Sequence, residues 1–370
     1  MLIDLIAGAR PNFIKVASII EAIERAQNEG LPVKYRLIHT GQHYDGNMSG
    51  SFFEELNIPA PYYNLQVGGG SQAEQTARIM VAYERILLDE PCDVCLVVGD
   101  VNSTMACAIA AKKIPGIKLA HVEAGIRSGD MTMPEEINRI VTDSITDYFF
   151  TTSETASENL RKTGVDKSSI FFVGNTMIDT LLKNDSRLKK PQLWEGLKLE
   201  NGQYIVLTLH RPNNVDDPAK LTQLLDTVAT SAQGMKVIFP VHPRTAKIIE
   251  EHQLIASGIY TITPLSYLEF NYLVKYAKGV VTDSGGITEE ATVMGVPCMT
   301  LRDSTERPET CTIGTNELLG TDPQNIPPAF ARLFAGSWKK GGIPDKWDGK
   351  SADRIVSTLL AIYTDGKAIV

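Results

Sequence analysis

Acidic side chains stand directly after two short apolar runs in the first half of this chain. Asp100 ends the segment VVGD, and Glu123 ends the segment LAHVE. A third acid, Glu135, falls in the first turn of an expected helix, where acids are also favoured for purely structural reasons. Carboxylates held in different environments around one pocket can divide the roles of general acid and general base. These positions predict proton-transfer chemistry.

The segment GARPNFIK, residues 8–15, brings positive charge to an expected helix start. Pro11 suits the first turn of a helix, where its missing N–H is not needed. Arg10 and Lys15 add two cations to a helix N-terminus, which already favours anions. The dinucleotide fingerprint G-x-G-x-x-G is absent from this segment. We expect an anion site here, and a solvated helix start with surface charges is the alternative.

A second glycine-containing turn lies in VTDSGGITEE, residues 281–290. Gly285 and Gly286 allow backbone N–H groups to approach a phosphate closely, and Ser284 adds a hydroxyl donor. Glu290, one turn into the expected helix, has acceptors suited to the hydroxyls of a ribose. Phosphate donors beside a ribose acceptor predict a nucleoside diphosphate site. An ordinary capped helix is the alternative.

Two histidines follow apolar runs of the second half in the same way. His210 directly precedes an arginine at an expected strand end, and His242 has the same setting one strand later. We expect both to be functional. His39 and His121 are expected to be satisfied neighbours of a sheet, and His252 a surface residue.

The charge-dense segment RDSTERPET, residues 302–310, follows another apolar run. It is either a solvated loop or part of the ligand site. In the second case Arg307 would hold phosphate and Glu306 would hold sugar hydroxyls.

Composition excludes several classes of protein. The 370 residues contain 36 Lys plus Arg against 44 Asp plus Glu, a net charge of −8, so nucleic acid is not an expected partner. No apolar run reaches the roughly 18 residues that span a bilayer, and no basic n-region marks a signal peptide. Five cysteines do not suggest a disulfide framework, and Cys92 and Cys95 are expected in the core. We expect a reduced, cytoplasmic protein without membrane contact.

Short apolar runs that alternate with helical patterns position these side chains. The runs cover residues 2–7, 35–40, 94–98, 119–122, 148–152, 170–173, 205–209, 237–241, 260–263, 280–282 and 298–301. Such alternation predicts an α/β fold with doubly wound parallel sheets. The polar stretch 183–203 separates two series of runs and is expected to be a linker. Because ligands bind beyond the carboxyl ends of parallel strands, the predicted site lies in a cleft between the two halves.

Taken in chain order, the motifs of this chain resemble those of the non-hydrolysing UDP-N-acetylglucosamine 2-epimerases. They are GARP at 8–11 with Lys15, TGQH at 40–43, Gly99-Asp100, HVEAG at 121–125 with Arg127, PEE at 134–136 with Asn138 and Arg139, His210-Arg211, DSGG at 283–286 with Glu289 and Glu290, and TERPE at 305–309.

The resemblance implies two Rossmann-like, doubly wound domains of the glycosyltransferase-B type that face a cleft. Residues 1–182 would form the N-terminal domain with the catalytic acids, and 190–351 the UDP-binding domain. The C-terminal helix at 352–370 would cross back to the first domain. The family also implies a homodimer.

The implied reaction inverts carbon 2 of a UDP-2-acetamido sugar without NAD or metal. UDP leaves to give a 2-acetamidoglucal and adds back after protonation on the opposite face. By resemblance the acids are Asp100, Glu123 and Glu135, with His210 near the diphosphate and Lys15 tuning one of the acids. The remaining family positions are expected to bind substrate: Arg10, Leu265, through its backbone, Phe270, beside uracil, Ser284, Gly285, Gly286, Glu290 and Arg307. His242, from its setting after an apolar run, is expected to join them.

Three segments depart from the family pattern: Asn12-Phe13 and the stretches 44–48 and 68–72. Regulated members hold an allosteric UDP-sugar in the latter regions, so the departures argue against that regulation or indicate a substrate modified at carbon 3 or carbon 6. A hydrolysing 2-epimerase, a glycosyltransferase of the same fold and a non-catalytic UDP-sugar sensor are the alternatives.

Overall fold

The computed structural model describes residues 1–41, 52–252, 254 and 256–367. The chain divides into two compact units. The first comprises residues 1–183 together with 345–370, and the second comprises residues 184–344.

The first unit is built on a seven-stranded parallel sheet with the order β3-β2-β1-β4-β5-β6-β7. The strands are β1 (Leu2–Ala7), β2 (Lys34–His39), β3 (Tyr63–Asn64), β4 (Val94–Val98), β5 (Lys118–Val122), β6 (Tyr148–Thr151) and β7 (Ile170–Phe172). Its helices are α1 (Arg10–Asn28), α2 (Gln72–Asp89), α3 (Asn102–Lys112), α4 (Pro134–Ile145), α5 (Glu154–Lys162) and α6 (Thr176–Asn184).

The second unit is built on a six-stranded parallel sheet with the order β10-β9-β8-β11-β12-β13. The strands are β8 (Tyr204–Thr208), β9 (Lys236–Pro240), β10 (Ile259–Ile262), β11 (Gly279–Thr282), β12 (Cys298–Thr300) and β13 (Asn316–Leu318). Its helices are α7 (Leu193–Gly196), α8 (Pro212–Val215), α9 (Pro218–Ser231), α10 (Pro243–Glu251), α11 (Tyr267–Lys275), α12 (Gly285–Met294), α13 (Pro308–Thr312) and α14 (Ile326–Phe334), and the last helix of the chain, α15 (Ser351–Lys367), belongs to the first unit.

The predicted α/β class is confirmed, since both sheets are parallel and Rossmann-like. In each sheet the strand order reverses beside the first strand, between β1 and β4 in the first unit and between β8 and β11 in the second. Such a reversal is the position where open α/β sheets bind ligands. The central strands are continuous apolar runs because helices cover both of their faces, and every residue of β4 is buried.

Two edge strands, β3 and β13, were not expected from the sequence. Tyr63–Asn64 and Asn316–Leu318 are only two and three residues long and lack an apolar run. They take strand geometry because a neighbouring strand supplies backbone hydrogen-bond partners. Strands that form through such backbone pairing have almost no recognisable pattern in their own sequence.

The stretch expected to be a linker packs onto the second unit. Trp194 is 6% exposed and meets the rings of Tyr204 and Tyr272 edge-on, with centroids 5.5 and 5.4 Å apart. The predicted core position of Cys92 and Cys95 is confirmed, because both thiols are buried. Among the described residues, none of the helices combines the length and apolar composition that a bilayer crossing requires.

The segment before α15 is anchored in the first unit by one tryptophan. The Trp347 indole is 1% exposed and donates a hydrogen bond to the Thr152 carbonyl at 3.0 Å. Gly174, at φ +100°, lies so close that a Cβ would fall 2.0 Å from the Lys346 carbonyl oxygen. Asp179 of α6 then accepts the backbone N–H of Ala352 at 2.7 Å, which ties down the first turn of α15. The C-terminal helix is thereby held by the first unit and packs on α1.

We expect Trp347→Ala to lower the free energy of unfolding by about 3–5 kcal/mol, because it leaves a cavity and an unpaired carbonyl. Urea unfolding at neutral pH measures this loss. Trp347→Phe keeps most of the apolar contact and should cost clearly less. An unfolding midpoint equal to that of the wild type in the alanine variant would contradict the anchoring role.

Candidate active site

One amide organises the carboxyl edge of the sheet in the first unit. Asn12 Oδ1 accepts the backbone N–H groups of Gly8 and Ala9 at 3.2 and 3.1 Å, and its Nδ2 donates to the Val98 carbonyl at 3.0 Å. It therefore ties the loop after β1 to the end of β4. Gly8 has no room for a side chain, because a Cβ would fall 2.0 Å from Ser103 Oγ.

Glu123 forms a buried ion pair with Lys15 at this edge. Lys15 Nζ lies 2.6 Å from Glu123 Oε2, and the two side chains are 10% and 3% exposed. Glu123 also has a φ of +72°, which is rare for a residue with a Cβ and costs of the order of 1–3 kcal/mol. Such strain persists where the surrounding structure dictates it, and it is found disproportionately at functional sites.

Asp100 is held by an arginine from α4. Arg139 donates to Asp100 Oδ2 from both Nη2, at 2.6 Å, and Nε, at 3.0 Å, while the Asp100 side chain stays 28% exposed. Glu136 fixes the same arginine from the other side at 2.6 Å. Burial raises the pKa of Glu136, but backbone N–H groups of residues 128 and 129 and the Arg139 charge outweigh it, so this pKa lies below its ordinary value. Arg139 thus binds two carboxylates, of which Glu136 is buried and Asp100 is partly exposed.

The structure brings Asp100 and Glu123 to neighbouring strands. The two acids follow β4 and β5, which pair directly and in parallel. A Cβ built on Gly99 would lie 3.7 Å from Glu123 Oε2 and 3.2 Å from Lys15 Nζ. The carboxylate of Glu123 therefore lies against the residue that precedes Asp100.

The other predicted residues of this unit take more peripheral positions. Glu135 is partly buried in the first turn of α4, four residues before Arg139. Arg10 is exposed, and its guanidinium lies 4.9 Å from the ring centroid of Phe52. Gln42 and His43 lie outside the described residues.

His39 and His121 are buried within strands β2 and β5, and their contacts differ. His39 Nδ1 accepts the backbone N–H of Gly41 at 3.0 Å, and burial lowers the pKa of His39. His121 contacts Asp143 and the Gly99 carbonyl, at 2.7 and 2.9 Å.

A buried carboxylate organises the corresponding edge of the second unit. Asp283 is fully buried after β11 and accepts the backbone N–H groups of His210 and Arg211 and the amide of Asn214, at 2.9–3.1 Å. Asp283 Oδ1 also lies 2.8 Å from His210 Nδ1, and the His210 side chain is 50% exposed. Burial raises the pKa of Asp283, but the bond and charge of His210 and the other donors outweigh it, so the pKa is lowered. Asp283 is ionised and directs Nδ1 of His210 inward.

The predicted phosphate turn opens α12 beside His210. Ser284 is the N-cap, yet its hydroxyl makes no capping hydrogen bond in the described structure. Gly285 lies against the Arg302–Glu306 ion pair, and a Cβ there would fall 3.1 Å from Glu306 Oε1. The Ser284 hydroxyl therefore does not cap the helix in the described structure.

Glu290, the predicted ribose acceptor, is held from α11. The Tyr267 hydroxyl donates to Glu290 Oε1 at 3.0 Å, and the Asn271 amide approaches the same oxygen at 3.5 Å. Leu265, expected to act through its backbone, precedes this helix, and Phe270, expected beside uracil, lies in its first turn. Both are partly buried and pack against the same hydrophobic cluster of the second unit.

Arg307 and His242 complete the predicted set. Arg307 is 6% exposed and forms an ion pair with Glu289 of α12. Burial raises the pKa of the adjacent Glu309 despite the Arg307 charge. His242 is exposed, two residues beyond the end of β9.

The sequence analysis gave no role to the residues that support the predicted site, although Arg139 was among the residues matched to the family. Arg139, Asp143 and Tyr267 are buried polar residues whose partners are 39, 22 and 23 positions away. The sequence did contain one indication of their role. Glu135, Arg139 and Asp143 are spaced four residues apart, so they share one face of α4.

We expect Asp283→Asn to lower stability by about 2 kcal/mol at neutral pH, because hydrogen bonds to an ionised acceptor are lost. The folded-state pKa lies below the unfolded value, so this contribution is complete above about pH 4–5 and is lost as the pH falls through the folded-state pKa. Urea unfolding of both proteins from pH 7 to pH 3.5 measures the difference. If the difference in the free energy of unfolding between the two proteins increased as the pH fell, Asp283 would not be an ionised acceptor with a lowered pKa.

The resemblance expected from the motifs is confirmed by comparison with known proteins. A sequence model of the UDP-N-acetylglucosamine 2-epimerase family matches residues 25–360. A UDP-N-acetylglucosamine 2-epimerase of Methanocaldococcus jannaschii is 40% identical over 97% of this chain and 99% of its own length. A Pseudomonas aeruginosa UDP-2,3-diacetamido-2,3-dideoxy-D-glucuronate 2-epimerase is 41% identical over 86% of this chain and 88% of its own length.

Solved structures agree with the sequence comparison. The Methanocaldococcus jannaschii epimerase in complex with UDP-GlcNAc and UDP matches with a TM-score of 0.87, covering 97% of this chain and 99% of that one. The Neisseria meningitidis epimerase bound to UDP-GlcNAc is 28% identical and has a TM-score of 0.86, covering 98% of this chain and 100% of that one. The chain is an isomerase and belongs to the UDP-N-acetylglucosamine 2-epimerase family.

Proposed function

We propose that this protein is a non-hydrolysing 2-epimerase that interconverts UDP-N-acetylglucosamine and UDP-N-acetylmannosamine, or a close UDP-2-acetamido sugar. The observation that carries this proposal is the pair of acids at the ends of neighbouring strands, Glu123 buried with Lys15 and Asp100 pinned by Arg139. Inversion at carbon 2 needs one group to remove a proton and another to return it from the opposite face. Two carboxylates in different environments meet that need.

The reaction balances without an external reactant. A carboxylate takes the proton from carbon 2 while the bond between carbon 1 and the UDP oxygen breaks, and the electron pair leaves with UDP. This elimination gives a 2-acetamidoglucal. The second acid then protonates carbon 2 from the other face as the UDP oxygen bonds to carbon 1 again. Asp100 and Glu123 are the proposed pair, and Glu135 is the third acid.

Departure of the diphosphate needs donors at the oxygens where charge develops. Ser284, Gly285 and Gly286 offer a hydroxyl and backbone N–H groups at the N-terminus of α12, where the helix dipole favours an anion. His210, oriented by Asp283, is the proposed partner of the leaving phosphate. Arg10 and Arg307 supply positive charge.

The nucleoside half of the substrate is assigned to α11 and α12. In this proposal Glu290, which accepts the Tyr267 hydroxyl, also accepts hydrogen bonds from the ribose hydroxyls. Phe270 is the residue proposed beside uracil, and Leu265 is proposed to bind through its backbone. His242 completes the substrate contacts. Residues 1–182 thus supply the acids in this proposal, and residues 190–351 bind UDP.

The identity of the sugar has a second candidate. The Pseudomonas aeruginosa relative, named a UDP-2,3-diacetamido-2,3-dideoxy-D-glucuronate 2-epimerase, has about the same identity to this chain as the Methanocaldococcus jannaschii epimerase, over a shorter match. Initial-rate assays with both UDP-sugars distinguish the two substrates by the ratio of their kcat/KM values.

We expect the protein to introduce deuterium at carbon 2 of UDP-N-acetylglucosamine in deuterated water, with UDP still attached to both epimers. NMR of the sugar follows the exchange. Release of UDP and free N-acetylmannosamine would favour the hydrolysing relative, and transfer that depends on an added acceptor would favour a glycosyltransferase. Binding without any turnover of either candidate sugar would favour a sensor.

We expect Asp100→Asn and Glu123→Gln each to lower kcat by about 10²–10⁴-fold, because each removes a proton-transfer group. UDP affinity, measured by calorimetry, should stay within about threefold of the wild type, a change of about 0.65 kcal/mol. Turnover at the wild-type rate in either variant would remove that acid from the mechanism.

A further inference from the structure

One buried carboxylate links the segments that carry the two proposed acids. We propose that Asp143 is a positioning residue that acts through His121 to fix the loop of Asp100 relative to the loop of Glu123. This inference rests on the proposed function, because it assigns a role to residues that support Asp100 and Glu123.

The link begins at a histidine with no exposed surface. His121 Nε2 lies 2.9 Å from the Gly99 carbonyl, which only accepts, so this nitrogen carries a proton. His121 Nδ1 lies 2.7 Å from Asp143 Oδ1. Since Gly99 immediately precedes Asp100, the ring connects Asp143 to the end of β4.

The other oxygen of Asp143 connects to the second loop. Asp143 Oδ2 accepts the backbone N–H of Gly125 at 3.0 Å and lies 2.7 Å from Arg127 Nη1. Gly125 is two residues beyond Glu123. Burial raises the pKa of Asp143, but the bond and charge of His121, together with Arg127, outweigh it, so the pKa lies below its ordinary value and the acid is ionised.

The backbone at both ends of this link needs outside support. Gly99, Glu123 and Gly125 all have left-handed φ values, of +67°, +72° and +78°. At Glu123 that conformation is strained and persists only if neighbouring contacts hold it. Gly125 has no room for a side chain, because a Cβ there would lie 2.3 Å from the Ala156 carbonyl oxygen. The Asp143 carboxylate supplies hydrogen bonds on both sides of the strained residue.

Helix α4 therefore controls both acids from one face. Arg139 binds the side chain of Asp100 directly. Asp143, four residues later, binds the Gly125 backbone directly and the Gly99 carbonyl through His121. A shift of this helix would move both acids together. Removal of the Asp143 contacts would instead separate them.

Asp143→Asn tests the inference with almost no change in shape. An amide has one accepting oxygen, so it satisfies either His121 or the Gly125 and Arg127 donors, while its NH₂ faces the other set. We expect kcat and the rate of deuterium exchange at carbon 2 to fall in parallel by about 100-fold, the size associated with displacements of about 1 Å. UDP affinity should stay within about twofold, a change of about 0.4 kcal/mol.

Asp147→Asn is the matched control. Asp147 accepts the backbone N–H of Leu119 at 2.7 Å and binds Lys112, at the opposite end of β5 from Glu123. We expect this variant to lose stability while kcat stays at the wild-type value. All rates are measured at least 15 °C below the melting temperature of each variant, so unfolding does not contribute.

A folded Asp143→Asn variant with wild-type kcat and exchange would overturn the inference. A kcat loss of the same size in Asp147→Asn would also overturn it, because any weakened hydrogen bond on the sheet would then have that effect. If Asp143→Asn does not fold, His121→Gln decides by the same criterion, since it removes the bridge and leaves the carboxylate.

The same series separates this inference from the proposed function. If Asp100→Asn and Glu123→Gln also turn over at the wild-type rate, the assignment of the acids fails. If those variants are inactive while Asp143→Asn is not, only the positioning role fails.

Discussion

The buried ion pair between Lys15 and Glu123 is the constraint on which the first unit's site depends. An ionised carboxylate that is 3% exposed costs several kcal/mol unless a cation meets it, and Lys15 does so at 2.6 Å. The pair needs α1 to begin directly after β1, so that Lys15 lies one turn inside the helix and reaches the end of β5. It also needs Gly99, because a side chain there would contact both partners. The loops at this edge are therefore shaped around one charge pair.

In each unit one buried polar side chain holds the loop that follows the first strand, but the chemical group differs. At the strand-order reversal of the first unit, the neutral amide of Asn12 gathers the backbone N–H groups of the loop after β1 and joins them to β4. At the equivalent position of the second unit, ionised Asp283 gathers the N–H groups of the loop after β8. The amide can both donate and accept, whereas the carboxylate can only accept and so leaves His210 as a donor toward it.

Buried polar groups give this site its geometry and add little net stability. A buried ion pair regains most of its desolvation cost only when the geometry is good and the remaining donors and acceptors are satisfied. Arg139 meets that condition, since Asp100 and Glu136 both bind its guanidinium. Removing one member of such a set leaves an uncompensated charge, so each residue depends on the others for its position. The acids, the cations that bind them and α4 therefore depend on one another for their positions.

The sequence by itself predicted every strand except the edge strands β3 and β13, and it supplied the residues proposed for the site. Each apolar run predicted a strand to within one residue at either end, because a strand covered on both faces must be continuously apolar. The polar residues after those runs were therefore placed at the carboxyl edges correctly, and the ordered motifs identified the family.

Only the tertiary structure decided which charged side chains pair with one another. Lys15 and Glu123 are 108 residues apart, and Asp100 and Arg139 are 39 apart. Among 44 acids and 36 Lys and Arg residues, local pattern carries no information about which will meet. Only the packing of α1 and α4 against neighbouring strands brings those side chains within hydrogen-bond distance.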